Sequence, residues 1–521
     1  MAKIIEITLS PEKDGRKQLY RHAAAKIGVK ETDITELKIL KRSIDARKKL
    51  SVKIVYSAAV GLKNDPILPS AEYCLPTASY IPAERPVIVG FGPAGMFAAL
   101  ALAEAGFHPL IIERGSDVDV RIGKVERFTQ NGELDPECNV QFGEGGAGTF
   151  SDGKLNTGIG DSRVGFILRR FAEFGAGAHI VYDAAPHVGT DVLRTVVKNI
   201  RQHILSLGAE IRFDTRLTDI SVSNGHIQNI TVTAQGSRDV IPCQTLFLAV
   251  GHSARDTMLM LYEKKLPMEA KPFAMGVRIE HRRTQIDLAQ YGKYAGIKSL
   301  GAASYKLSVH LPSGTGVYTF CMCPGGYVMA SASERGGVVT NGMSYSGRAG
   351  DNSNSALLVS LNPHEFPYAG PLGGIYWQHE IERKAFEYAG AGYKAPCQLV
   401  GDFLTGREST ECRSIVPSYR PGVRYGNLTQ VLPNVITSAL KEAIPLLEHK
   451  LSGFSAADAV LTAPETRSSS PIRILRDSNL QAIGTAGLYP CGEGAGWAGG
   501  IVSAASDGLR CCEQYILSLK Q

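Results

Sequence analysis

The chemistry-bearing residues of this 521-residue chain cluster in a few glycine-rich stretches. The clearest is Gly90-Phe91-Gly92-Pro93-Ala94-Gly95, directly after the apolar run Pro86-Val87-Ile88-Val89. Gly90 permits a tight turn, Gly92 lets the backbone approach a pyrophosphate, and Gly95 lets helix and strand pack closely. An alanine- and leucine-rich helix over Met96–Ala105 follows, with free N–H groups and a partial positive charge at its start to hold phosphate. Gly106 ends it, and Pro109–Ile112 reads as a second strand closed by Glu113 and Arg114. A carboxylate there, 23 positions after Gly90, can accept hydrogen bonds from ribose hydroxyls. Strand, glycine turn, helix, strand and acid together make a dinucleotide-binding βαβ unit.

A second stretch separates FAD from a nicotinamide. Gly487–Pro490 reads as a strand that ends in Cys491-Gly492-Glu493-Gly494-Ala495-Gly496, and Trp497-Ala498-Gly499-Gly500-Ile501 opens another alanine-rich helix. This resembles the way glutathione-reductase-like flavoproteins close their FAD site, with Glu493 where their acid is usually Asp. The resemblance implies contacts from Gly492, Glu493, Gly499, Gly500 and Ile501. The N-terminus of that helix could stabilise negative charge on reduced flavin. Thr245–Ala254, an apolar strand ending at Gly251, resembles the step that passes FAD in the same flavoproteins, and Leu217 is a further candidate contact.

The stretch Asn139–Leu155 (NVQFGEGGAGTFSDGKL) is similar to the signature of a bacterial family of FAD-dependent dehydrogenases. So are Lys271–His281, Phe320–Gly326, Asn341–Ser344, Thr466–Arg473 and the 491–501 segment. The similarity runs through essentially the whole chain and implies an FAD-bound oxidoreductase fold, without implying a substrate. Within the glycine-rich loop, backbone N–H groups can face an anion or a flat ring. Gly148, Thr149, Ser151 and Lys154 are candidate contacts to the flavin or its phosphates.

Four residues are candidates for catalysis. Cys321 and Cys323 could exchange electrons with a flavin, but residues i and i+2 of a strand lie about 6.5–7 Å apart, beyond the usual reach of a disulfide. Buried packing is the alternative. Arg467, like Arg473 beyond the Ser468-Ser469-Ser470-Pro471 turn, could bind a substrate carboxylate or a phosphate; a structural ion pair is the alternative. His281, beside Glu280, could supply a proton, with a solvated pair as the alternative. No metal-ligand cluster stands out.

The elements that position these residues follow from pattern. Residues 1–53 hold 14 Lys/Arg against 7 Asp/Glu, so that segment is +7 and the rest of the chain is −1. That segment reads as strand Ile4–Leu9, helix Gln18–Ile27 ended by Gly28, and a hairpin of Ile34–Ile44 with Leu50–Tyr56. A linker with Pro66, Pro69, Pro76, Pro82 and Pro86 follows. Asp191–Leu207 reads as a helix and 209–250 as short strands, while 267–424 is glycine- and β-rich. Ala456–Ala463 and 487–519 read as a return to the first sheet.

The expected fold is α/β: a glutathione-reductase-like FAD-binding Rossmann domain, an inserted mainly antiparallel β substrate domain and a small N-terminal α+β domain. The expected boundaries are 1–82 (basic domain and linker), 83–266 (first FAD-binding segment), 267–424 (insert) and 425–521 (second FAD-binding segment). No run reaches the roughly 18 apolar residues of a membrane span, the N-terminus has no apolar signal region, and the ten cysteines form no disulfide framework. A reducing, cytoplasmic setting is expected. The expected activity is hydride transfer between a small organic substrate and flavin N5 of FAD. No second GxGxxG follows a strand, so NAD(P)H is expected as a transient partner at most. Two alternatives remain: a flavin-dependent RNA-modifying enzyme using the basic segment as its handle, and a non-catalytic FAD-binding module.

Overall fold

The computed structural model describes residues 3–68, 73–150, 153–155, 158 and 160–519. Its first unit is an antiparallel sheet in the order Lys3–Leu9, Lys53–Leu62, Ile34–Asp45, covered by the helix Arg16–Ile27. The helix stops at Gly28, whose left-handed backbone bonds back to the Ala24 carbonyl. The third strand runs to Leu62, six residues beyond the expected Tyr56, because Ala58, Ala59 and Val60 are buried between the two outer strands. Ile7, Leu9, Leu19 and Ala23 join the same core as Phe273, Met275 and Val277, so this unit docks on the large sheet described below. Arg42 pins it there, donating to the Ser299 carbonyl at 2.7 Å and pairing with Asp183 at 3.7 Å.

A mixed α/β arrangement follows, built on a five-stranded parallel sheet. The order is Leu488–Pro490, Leu246–Leu248, Val87–Val89, Leu110–Ile112, Glu210–Arg212. Four of the five strands are buried at every position, as a sheet covered on both faces requires, and only the edge strand Glu210–Arg212 is charged and half-buried. The helix Pro93–Glu104 is buried from Ala94 to Ala103 and packs with the helix Ile501–Ser518 in one core. A three-stranded antiparallel meander, Thr215–Ser223, His226–Ala234 and Ser237–Pro242, hangs from this layer.

The largest sheet has seven strands, in the order Ser308–His310, Gly316–Cys323, Asn352–Leu361, Phe273–Arg282, Val460–Glu465, Ala395–Leu399, Val423–Tyr425. Every pairing is antiparallel except the last. Here the structure differs from the sequence reading. Val460–Glu465 pairs with Phe273–Arg282 and with Ala395–Leu399, so Ala456–Ala463 is not a return to the parallel sheet. That return is made by Leu488–Pro490. The strand VLTAPE is buried at every position, and a strand buried on both faces has no alternation that tells which sheet it joins. The chain enters and leaves this sheet through a two-stranded ribbon, Met268–Ala270 against Ile472–Ile474. Among the described residues, no helix is long and apolar enough to cross a membrane and no His/Cys/Asp/Glu group is arranged to hold a metal. All ten cysteines are free thiols.

Candidate cofactor and active-site cavity

The parallel strands Val87–Val89 and Leu246–Leu248 are neighbours, and the loops leaving their carboxyl ends, at Gly90 and at Ala249–Gly251, meet. Gly90 has φ +98°, and a Cβ there would lie 2.3 Å from the Ala249 carbonyl oxygen. A Cβ at Gly95 would lie 1.9 Å from the Gly90 carbonyl oxygen, so Gly95 seats the helix on its strand. The crevice at the carboxyl ends of parallel strands is where open α/β sheets take ligands. In this molecule it deepens into a cavity of about 1110 Å³ that reaches from the glycine loops to the wall of the seven-stranded sheet.

Most sequence candidates meet at this cavity. Gly90, Gly92, Pro93, Ala94, Glu113, Arg114, Gly148, Lys154, Leu217, Gly251, Glu493, Gly499, Gly500 and Ile501 line it, as do Cys321 and Arg467. Five of the described candidates do not, and each has another task. Gly95 packs helix against strand. Thr149 is fully buried and braces the loop through the Glu144 carbonyl. Gly492 donates its N–H to Asp507 at 2.8 Å, and a Cβ on it would lie 2.7 Å from that of Ala94. Cys323 is buried, with its thiol 3.2 Å from the Cys321 carbonyl oxygen. Ser151 lies outside the described residues.

His281 is corrected more fully. It has no exposed surface, does not line the cavity, and its Nε2 lies 2.8 Å from the Phe454 carbonyl oxygen. Burial lowers its pKa, so it is a neutral core histidine. Glu280 is equally buried, against Ser418 and Asn352. Arg467 lines the cavity but its charge is taken. Its Nε and Nη2 donate to Glu382 at 3.0 and 2.7 Å, and Nη2 also reaches Glu334 at 3.0 Å. Arg255 grips the same Glu382 from the other side with two bonds of 2.8 Å. Burial acts to raise the pKa of Glu382, but the two guanidiniums hold it well below the usual carboxylate range. This cluster ties the helix Arg255–Glu263 to the helix Gly373–Tyr388, and it makes Arg467 structural.

Glu113 has three backbone partners. Oε2 accepts from Phe91 N–H at 2.7 Å, and Oε1 accepts from Gly115 and Gly143 N–H at 3.0 and 2.9 Å. Of roughly four acceptor sites on a carboxylate, one remains toward the cavity. Arg114 lies over the Phe142 ring at 4.0 Å and pairs with Glu137 and Asp256, both at 3.0 Å, which stiffens the rim.

Sequence reasoning missed His252, Lys271 and Glu465, which also line the cavity. Burial, then Arg467 and Arg255, lower the His252 pKa to about 4. Its Nε2 is buried without a hydrogen-bond partner. Burial pushes Glu493 up to about 7, against the opposing pull of the Gly500 N–H and the Lys271 ammonium. Burial pushes Glu465 up to about 8, opposed by Arg278. His252 lies in the Thr245–Ala254 step, where only the glycine stands out, and Glu465 follows a proline in no motif.

Residues 272–468 match the family described as FAD-dependent protein, C-terminal domain-like, and residues 1–61 match a domain of unknown function. An uncharacterized protein of Clostridium beijerinckii is 46% identical over 528 residues, 99% of this chain and 98% of that one. Among solved structures, E. coli quinol fumarate reductase FrdA matches with TM-score 0.35 and 12% identity, covering 85% of this chain and 71% of its own. A geranylgeranyl bacteriochlorophyll reductase-like protein of Thermoplasma acidophilum matches with TM-score 0.36 and 10% identity, covering 84% and 80%. These structural likenesses are remote.

The cavity fits FAD. It slightly exceeds the roughly 300–1,000 Å³ of an ordinary small-molecule site. Two helices, Pro93–Glu104 and Ile501–Ser518, begin on it at Gly92 and Gly500 with no side chain capping their first N–H groups, which leaves donors for phosphate or for negative charge on a flavin. Side chains at Gly251, Gly499 or Gly500 would meet no protein atom within 4 Å and would project into free space beside the cavity. The buried, unpartnered His252 Nε2 is a polar atom that a ligand can satisfy. With the match to the FAD-dependent family and with the Clostridium protein across nearly its whole length, the chain belongs to this bacterial family of FAD-dependent proteins: a flavoprotein with FAD as its cofactor and a flavin-dependent redox role.

Proposed function

We propose that the protein is an FAD-dependent dehydrogenase that transfers a hydride between a small organic substrate and flavin N5, and that its FAD-binding region is arranged as in glutathione-reductase-like flavoproteins. The observation that carries this reading is the continuity of the cavity: one space is lined both by the glycine loops and by Thr319, Cys321 and Glu465 of the seven-stranded sheet. When bound, FAD supplies a two-electron donor and acceptor at N5. In this reading the backbone at Gly92 and Ala94 holds the pyrophosphate, and the remaining acceptor site of Glu113 takes a ribose hydroxyl. The start of the helix Ile501–Ser518, which lies on the cavity, would favour negative charge on a bound flavin. The large sheet then walls the substrate against the ring.

The test is an absorption spectrum of the purified protein, followed by anaerobic titration with NADH and NADPH. Oxidised-flavin bands that bleach support a nicotinamide-reducible dehydrogenase. Bands that persist with both nucleotides point to electrons from the substrate or a protein donor. A colourless protein that FAD cannot reconstitute would falsify the reading.

A further inference from the structure

Two buried carboxylates, Glu382 and Glu465, have surroundings that differ sharply. Glu382 receives two complete guanidinium forks and stays ionised. Glu465 receives one contact. Its Oε2 lies 2.7 Å from Arg278 Nε, the guanidinium that opposes its burial. The fork of Arg278 is engaged elsewhere, Nη1 with the Cys321 carbonyl at 2.7 Å and Nη2 with Asn341 Oδ1 at 3.1 Å. Arg278 is fully buried, and a Cβ at Gly342 would lie 2.7 Å from its Cζ, so the guanidinium cannot turn to give Glu465 a second bond without moving its neighbours. Glu465 keeps only 4% of its surface and lines the cavity.

We propose that Glu465 is the catalytic group that exchanges the proton accompanying hydride transfer, that Arg278 is its positioning residue, and that the substrate carries an O–H or N–H on the carbon that exchanges hydride. The proposal rests on the hydride-transfer reading above. In the oxidative direction the substrate C–H bond breaks and its electron pair leaves with the hydrogen for flavin N5. The O–H or N–H proton passes to the Glu465 carboxylate and a C=O or C=N bond forms. The substrate loses two electrons and FAD gains them. In the reductive direction the protonated carboxyl gives its proton back.

Burial supports this role by placing the titration of Glu465 near pH 8, where donor and acceptor forms are both accessible at neutral pH. The ionisable groups acting on it are Arg278, from the neighbouring strand Phe273–Arg282, and Cys321, from Gly316–Cys323. Glu493, His252, Lys271 and Arg467 line the same cavity from other elements.

The experiment is a pH titration of the flavin absorption of the FAD-loaded protein between pH 5 and pH 10, with no substrate required. The expected result is a one-proton transition with midpoint near pH 8 that is lost in Glu465→Gln. Arg278→Lys, which keeps the charge, should retain the transition. Arg278→Gln should move the midpoint upward, because the guanidinium favours the ionised carboxylate. Should Glu465→Gln fail to fold, Glu465→Asp serves: it should keep a transition with a displaced midpoint. Intact flavin bands with no transition, or a transition unchanged in the Glu465 variants, overturn the proposal. A transition that instead vanishes in Glu493→Gln also overturns it, by assigning the proton to Glu493. Failure to retain FAD at all overturns the flavin reading beneath it.

Discussion

Glu493 Oε1 lies 3.6 Å from His252 Nδ1, across the cavity floor from one cofactor loop to another. With the imidazole held neutral by burial and by two guanidiniums, the contact is not an ion pair. The His252 contact therefore gives Glu493 no counter-charge, and burial raises its pKa to about 7 against the pull of the Lys271 ammonium.

That displacement has a sign. A carboxyl whose folded pKa is above its unfolded value, about 4.3, binds more protons folded than unfolded between the two. Its contribution is fully present below about pH 4 and is lost as pH rises through about 7. Glu493→Gln in the FAD-free protein should remove this slope. At pH 8 the variant should be more stable than the parent by up to about 4 kcal/mol, one pKa unit being about 1.4 kcal/mol. Urea unfolding at pH 5, 6, 7 and 8 measures it. Equal slopes for both proteins would contradict the assignment.

Glu382 carries the opposite sign. Its folded pKa is depressed by Arg255 and Arg467, so its contribution is present above the unfolded carboxylate value and is lost as pH falls through the folded one. Glu382→Gln leaves two buried guanidiniums with Glu334 as their one remaining carboxylate, which costs up to about 3–5 kcal/mol. Thermal unfolding should show a clear fall in Tm at pH 7 that narrows in acid.

Gly499 has open space where a Cβ would point, and its backbone is not in the left-handed region. Gly499→Val should therefore keep the parent's Tm within a few degrees while lowering FAD retention at least tenfold, read from the ratio of flavin to protein absorbance. Gly90→Ala should lose both cofactor and stability, since its Cβ meets the Ala249 carbonyl oxygen at 2.3 Å and its φ is +98°.

His281 and Cys323 lie in packed interior away from the cavity. His281→Ala should lower stability by about 2–4 kcal/mol through a lost buried bond and a void, and leave the flavin spectrum unchanged. Cys323→Ser should likewise leave the spectrum in place. A flavin band that moves in either variant would return these residues to the site.

The cofactor end was legible because its requirements are local. A glycine turn between a three-residue apolar strand and an uncapped helix lies within about 25 consecutive residues, and Val87–Val89 through Glu113 folds as such. The far wall of the cavity was not legible. Arg467 reads equally as a ligand-binding cation and as half of an ion pair until Glu382, 85 residues earlier, takes both edges of its guanidinium. Glu465 reads as the tail of an apolar run until strand pairing sets it against Arg278.

By itself, then, the sequence determined the cofactor class and the elements that hold it, because turn geometry and helix ends are set by neighbours in the chain. Only the tertiary structure decided which charged residues face the cavity with chemistry to spare. Ionisation in an interior depends on burial and on partners brought from distant strands, and a central strand buried on both faces carries no periodicity that reveals either.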